Sequence, residues 1–156
     1  MRKIRVGLIG AGGMANGVHY PSLVEFPDVE MAALCDLDET KLQATAAKFG
    51  IERTYTDYRK MLAEVDPEAV YILMPPHHLF DLAIQCLNQK RHVFIEKPPG
   101  VTREQTRHMA LTAERNGCLT MTGFNRRFIP VVRECKRRVD EHGPMLQCVS
   151  TFYKNS

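Results

Sequence analysis

The stretch that most constrains this chain lies near its start, Ile4 to Ala15, read as IRVGLIGAGGMA. Ile4, Val6, Leu8 and Ile9 make a short, near-continuous apolar run, the pattern of a parallel strand buried on both faces, although so short a run is also compatible with a helix segment. The run breaks into Gly10-Ala11-Gly12-Gly13-Met14-Ala15, which fits G-x-G-x-x-G/A with Ala15 in the third place. Gly10 allows a tight turn out of the strand, Gly12 lets a pyrophosphate approach bare backbone, and Ala15 lets the next helix pack close to the sheet. The free N–H groups and positive dipole end of that helix would face the phosphates.

A second apolar run, Val29 to Cys35, ends in Asp36, twenty-one residues after Ala15. A carboxylate there can accept hydrogen bonds from both hydroxyls of an adenosine ribose and would repel a 2′-phosphate. No arginine follows it; the neighbour is Leu37. The expected cofactor is therefore NAD and not NADP, with Gly10 through Ala15, Asp36 and Leu37 as contacts. The competing reading is a structural turn beside a solvated aspartate, and it does not account for strand, turn, helix and acid falling in register.

At 156 residues the chain is long enough for one domain with a proper core and short for two. Its net charge of +3 is too small to argue for nucleic acid. No apolar run approaches a membrane span, and MRKIRVGL enters a strand without a signal-peptide core, as expected of a cytoplasmic protein. The five cysteines, Cys35, Cys86, Cys118, Cys135 and Cys148, are odd in number and contain no C-x-x-C pair. They read as thiols of a reducing compartment, with neither a disulfide framework nor a metal site. The strings G-x-S-x-G, H-E-x-x-H and G-K-[ST] are absent, which removes the usual marks of serine hydrolases, zincins and P-loop proteins.

In order, the pattern predicts a helix over 14–26 interrupted by Pro21, a strand over 29–35, and a helix capped by Asp38 that ends at Gly50. A short strand over 53–56, a helix over 57–65 and a strand over 68–74 follow. Pro75-Pro76 opens a helix with Leu79, Leu82, Ala83, Cys86 and Leu87 on its apolar face. Then come a strand over 92–95, a helix capped by Thr102 and Gln105 running to Asn116, and a strand over 119–122. This alternation is that of an α/β doubly wound parallel sheet of Rossmann type. Residues 1–122 form the expected dinucleotide-binding domain. Ligands of such sheets lie across the carboxyl ends of the strands. There Gly10, Asp36, Met74-Pro75-Pro76, Glu96-Lys97 and Gly123-Phe124-Asn125 fall together. His19 reads as an ordinary packed or exposed histidine.

Lys97 follows a buried strand at that rim, where a cation can hydrogen-bond a substrate hydroxyl and favour its alkoxide. Glu96 can hold Lys97 or bind a ribose hydroxyl, and Pro98 fixes the backbone after it, at the usual kind of site for a cis peptide. The plain alternative is a surface lysine before a turn.

Taken in order, G-A-G-G-M-A, Asp36, Pro75-Pro76, E-K-P at 96–98 and G-F-N-R-R-F at 123–128 resemble the glucose-fructose oxidoreductase / inositol dehydrogenase / rhizopine-catabolism (Gfo/Idh/MocA) family. The resemblance implies that Met74, Pro75 and Pro76 run past NAD, that Glu96 lies near the nicotinamide ribose, and that Lys97 is the catalytic lysine. It also implies that Asn125 and Arg126 lie on the substrate side. Many members carry Thr-Pro-Asn-x-x-His at the Pro turn; here Met74, Pro76 and Leu79 replace Thr, Asn and His, and His77 and His78 read as surface residues at a helix start.

The spacing predicts a helix over 128–142 with a basic stripe, then a strand over 145–153. Residues 123–156 are thus expected to be a connecting helix and the first strand of a second, substrate-binding domain that the family carries and this chain lacks. The implied activity is hydride transfer between nicotinamide and a sugar, inositol or similar polyol, by an enzyme that is a homo-oligomer at full length and inactive as this portion alone. Two other readings are a non-enzymatic NAD-binding sensor or transcriptional co-regulator, and an NAD-dependent glycosidase. No membrane or nucleic-acid partner is expected.

Overall fold

A computed structural model describes residues 2–149 and 151. Six strands form one wholly parallel sheet: β1 (Ile4–Ile9), β2 (Val29–Cys35), β3 (Thr54–Tyr55), β4 (Ala69–Ile72), β5 (His92–Ile95) and β6 (Thr120–Thr122). They lie in the order β3-β2-β1-β4-β5-β6. The order reverses direction between β1 and β4, the switch point at which doubly wound sheets bind ligands. The six strands expected over residues 4–122 are all present, with β3, β4 and β6 trimmed at their ends.

Register explains the two-faced core. Leu34, Leu8, Tyr71, Phe94 and Met121 are successive partners across the sheet, as are Cys35, Ile9, Ile72, Ile95 and Thr122 one residue further along. Leu8 and Leu34 pack with Tyr20, Leu23, Leu42 and Ala46 on one face. Ile9, Ile72 and Ile95 pack with Met61, Leu62, Leu79, Leu82 and Leu87 on the other. Each fully buried leucine or isoleucine contributes about 1.5–3 kcal/mol, so burial on both faces outweighs the weak helix–strand ambiguity of the short runs.

The helices obey their caps. Asp38 accepts the Lys41 N–H at the start of α2 (Glu39–Phe49), and Asp57 accepts the Arg59 N–H at the start of α3 (Tyr58–Val65). All five apolar positions expected to face inward on α4 (Pro76–Asn88) are buried. Thr102 accepts the Gln105 N–H at 3.2 Å to open α5 (Arg103–Asn116), and Gln105 returns the bond to the Val101 N–H at 2.8 Å, one residue earlier than a capping box would place it. Thr102→Ala is expected to cost about 1 kcal/mol, read as a lower urea midpoint at unchanged slope.

The first helix, α1, departs from the expected form. Residues Ala15–His19 take the wide π geometry, between helical residues 13–14 and the α-helical Tyr20–Val24. The Tyr20 N–H reaches back five residues to the Ala15 carbonyl. Pro21 has no N–H to continue the ladder, and the turn before it widens instead of kinking.

The chain divides into two compact units, residues 1–123 and 124–156. The second holds a 3₁₀ turn, Asn125–Phe128, and α6 (Pro130–Glu141), which starts later than expected because Pro130 fits the first helical position. Its basic stripe is largely neutralised along the helix: Arg137 and Arg138 each reach Glu134 at 2.8 Å, and Lys136 pairs with Asp140. The two guanidinium groups, Arg137 first, hold the Glu134 carboxyl down at about 2. Residues 143–149 have no regular secondary structure, so the expected strand is not formed over 145–149, and positions 150, 152 and 153 lie outside the described residues. No helix among the described residues is long and apolar enough to cross a membrane.

Candidate functional site

The residues that end each strand continue the sheet by one more rung. Gly10 donates to the Cys35 carbonyl at 2.8 Å, Asp36 to Tyr55 at 3.1 Å, Leu73 to Ile9 at 2.8 Å, Glu96 to Ile72 at 3.3 Å and Gly123 to Ile95 at 2.9 Å. The candidate residues of the first unit therefore share one rim, at the carboxyl ends of the strands.

Gly10 occupies a backbone conformation with φ of 108°, and a Cβ there would stand 2.5 Å from the Leu73 carbonyl oxygen. Any side chain is excluded on both counts. Nothing lies within 4 Å of where a Cβ would sit on Gly12 or Gly13, so the turn presents open backbone. Ala11 and Ala15 are buried beneath it, while Met14 is half exposed.

Asp36 is half-buried, and its carboxylate is already oriented. Oδ2 accepts the Ala11 N–H at 2.6 Å and Oδ1 accepts the Asp38 N–H at 2.9 Å. Each carboxylate oxygen offers about two acceptor sites, so one on each remains for a further donor. The Gly-rich turn and the acid after β2 are thus in direct contact, the juxtaposition that the sequence spacing required.

Behind the turn, Asn16 Nδ2 donates to the Ala11 carbonyl at 2.9 Å and to Thr45 Oγ1 at 2.9 Å, tying the turn to α2. Tyr20, fully buried, donates its hydroxyl to the Gly10 carbonyl. Burial, followed by the Asp36 charge, pushes the Tyr20 phenol upward and keeps it a donor. The same two causes push the Cys35 thiol up to about 12. Asn16 and Tyr20 were not legible as site residues, since an amide and a phenol within a helix announce nothing by type.

On the β2 side of the switch point, Ile9, Cys35, Asp36, Leu37, Tyr58, Met74, His78 and Leu82 are among the residues lining a cavity of about 280 Å³. Leu37 is 81% exposed, an apolar side chain held out over the rim. Pro75 and Pro76 open α4 beside Met74. The rings of His77 and His78 lie against each other, with centroids 4.1 Å apart; both are exposed and His78 borders the cavity. Leu79, where the resemblance leads to an expected histidine, is fully buried.

On the β5 side, Glu96 is held from two sides. Its Oε2 accepts the Lys97 N–H at 3.0 Å, and its Oε1 lies 2.7 Å from His19 Nε2. The histidine read as ordinary is therefore a partner of the candidate glutamate. Lys97 is exposed and joined to Pro98 by a cis peptide bond. Asn125 and Arg126 belong to the second unit, in its 3₁₀ turn. Among the described residues no group of histidine, cysteine, aspartate and glutamate is arranged to hold a metal ion.

Comparison with known proteins agrees with this geometry. A family model described as an oxidoreductase family with an NAD-binding Rossmann fold (GFO_IDH_MocA) matches residues 4–124. The D-glucoside 3-dehydrogenase of Escherichia coli (strain K12) is 33% identical over 136 residues, covering 87% of this chain and 39% of that protein. The myo-inositol 2-dehydrogenase of Thermotoga maritima is 28% identical over 137 residues, covering 88% and 41%. Among solved structures, the WlbA dehydrogenase of Chromobacterium violaceum in complex with NADH and UDP-GlcNAcA superposes with a TM-score of 0.85 at 27% identity, over 90% of this chain and 41% of that one. KijD10, a 3-ketoreductase of Actinomadura kijaniata in complex with NADP and TDP-benzene, gives 0.83 at 27% identity, over 90% and 43%. The chain spans about two fifths of the length of the relatives it matches. It belongs to the Gfo/Idh/MocA oxidoreductase family, whose NAD-binding Rossmann domain it carries over residues 4–124.

Proposed function

We propose that this chain is the cofactor-binding half of an oxidoreductase that moves a hydride between NAD and a hydroxyl of a sugar, inositol or related polyol. The observation that carries the reading is the contact between Asp36 and the Gly-rich turn, at 2.6 Å from the Ala11 N–H. It puts a ribose-binding acid and an open phosphate cradle side by side. The residues present fit a dinucleotide: Gly12 and Gly13 leave the backbone uncovered, and the neighbouring cavity has apolar walls in Leu37 and Met74. The diphosphate would lie on the N–H groups that open α1, with the adenosine towards β2 and the nicotinamide towards β5.

In that arrangement Gly10 through Ala15, Asp36, Leu37, Met74, Pro75, Pro76 and Glu96 hold the cofactor, which when bound supplies the hydride acceptor. Lys97 donates a hydrogen bond to the substrate hydroxyl and stabilises negative charge developing on its oxygen as hydride leaves. Asn125 and Arg126 serve the substrate side. Residues 124–156 lead into a further domain that completes the substrate pocket and the oligomer surface. By itself the chain binds cofactor without turnover.

NAD is favoured over NADP because a carboxylate at position 36, beside the Gly-rich turn, would accept from ribose hydroxyls and repel a 2′-phosphate. NADP seen with a relative makes this the point to test. Fluorescence titration of the chain should give tighter binding of NADH than of NADPH. Asp36→Asn, which keeps the shape and removes the charge, should narrow that gap by about tenfold. Equal affinity of the native chain for the two cofactors would refute the assignment.

A further inference from the structure

The structure builds more support around Glu96 than cofactor binding alone accounts for. His19 Nε2 lies 2.7 Å from its Oε1, and the two side chains are only 13% and 12% exposed. The imidazole stands edge-on to Phe94 and Tyr71, with centroids 5.1 and 6.4 Å away, and those two rings stack on each other at 4.4 Å. A Cβ on Gly123 would come within 3.0 Å of the same Oε1, so the glycine leaves the room the carboxylate occupies. A carboxylate only accepts, so Nε2 carries the hydrogen and donates it. His19 closes the π turn, and it and the next residue, Tyr20, reach Glu96 and the Gly10 carbonyl respectively.

We infer that His19 is a positioning residue for the nicotinamide half of the cleft, acting through Glu96. With His19 on Oε1 and the Lys97 N–H on Oε2, the carboxylate is fixed with a lone pair left for a ribose hydroxyl. It is also kept from turning to the Lys97 ammonium, whose Nζ has no partner among the described residues. Without His19 the nearly buried Oε1 loses its donor, and the neighbouring ammonium is the strongest replacement. Lys97 would then be drawn into an ion pair and away from substrate. This inference rests on the dinucleotide reading.

The test compares two probes on this chain: NADH, and ADP, which carries adenosine and diphosphate but neither the nicotinamide nor its ribose. His19→Ala should weaken NADH about five- to tenfold and leave ADP unchanged. His19→Gln, whose amide N–H can still donate to the carboxylate, should recover most of the loss. Combining His19→Ala with Glu96→Gln should be no worse than Glu96→Gln alone, since the two act as one unit. In cofactor-free protein, the ¹⁵N imidazole resonance of His19 should move on Glu96→Gln. Equal losses for NADH and ADP, or a glutamine variant as weak as alanine, would mean that His19 merely supports the fold, and the inference fails. If His19→Ala does not fold, the His19→Gln and Glu96→Gln titrations and the imidazole spectrum decide. Failure of the native chain to bind either probe overturns the dinucleotide reading itself, and is seen before any variant is made.

Discussion

A Gly10→Ala chain is expected to be about 2–4 kcal/mol less stable than the native one, by urea unfolding followed by far-UV circular dichroism. Two penalties coincide. The φ of 108° is a conformation that side chains rarely adopt, and the added methyl would lie 2.5 Å from the Leu73 carbonyl oxygen. The Leu73 N–H, in the same residue, donates to the Ile9 carbonyl at 2.8 Å, so the residue as a whole is tied to the end of β1. Dinucleotide affinity should fall as well, because the Gly10 carbonyl is the acceptor of the Tyr20 hydroxyl and the whole turn would move. Gly12→Ala meets nothing within 4 Å in the free chain. It should leave stability nearly untouched and weaken only the cofactor. A Gly10→Ala protein with native stability would show that the turn relaxes, and that strain does not select glycine there.

On the proposed function, Lys97→Ala in a polypeptide joining this chain to a substrate-binding half should lower kcat for polyol oxidation by about 10²–10⁴-fold, the range expected for loss of a positioned proton-handling group. NADH affinity should be retained. The expectation follows from placement: Lys97 is exposed at the rim one residue beyond Glu96, with its ammonium unengaged among the described residues. Steady-state kinetics with direct measurement of cofactor binding separates the two effects. Turnover that survives the change would remove Lys97 from its assigned role.

Much of this architecture could be read from residue order because β1, β2, β4 and β5 are short runs of mostly apolar residues, and β2, β3 and β5 lead into helices with capped starts. Asp38 and Thr102 are caps by residue type, and the five inward positions of α4 follow from helical spacing alone. The Gly-rich turn and Asp36 were legible for the same reason: one needs missing side chains and the other a carboxylate at a set distance along the chain. What stayed hidden depends on contacts between distant residues. His19 and Glu96 are 77 residues apart, and only folding shows that a histidine of the first helix meets the glutamate after β5. The π turn is equally silent in sequence, since Pro21 announces a disturbance without saying whether the helix will bend, stop or widen. The strand expected at 145–153 rested on a short, largely apolar stretch and on the resemblance to a two-domain family. Such a segment needs a neighbour to bond with, and residues 145–149 have no strand pairing.

The rung of backbone hydrogen bonds just past the strands has a wider meaning for how such a chain can change. Residues 10, 36, 73, 96 and 123 are stitched into the sheet as firmly as the strands themselves. Their mutual spacing is inherited from β-structure and is independent of whatever loop comes next. Segments beyond that line can lengthen, shorten or swap side chains while the redox partner keeps its seat. A single scaffold can thereby drift from one hydroxylated compound to another without relearning how to hold its electron carrier.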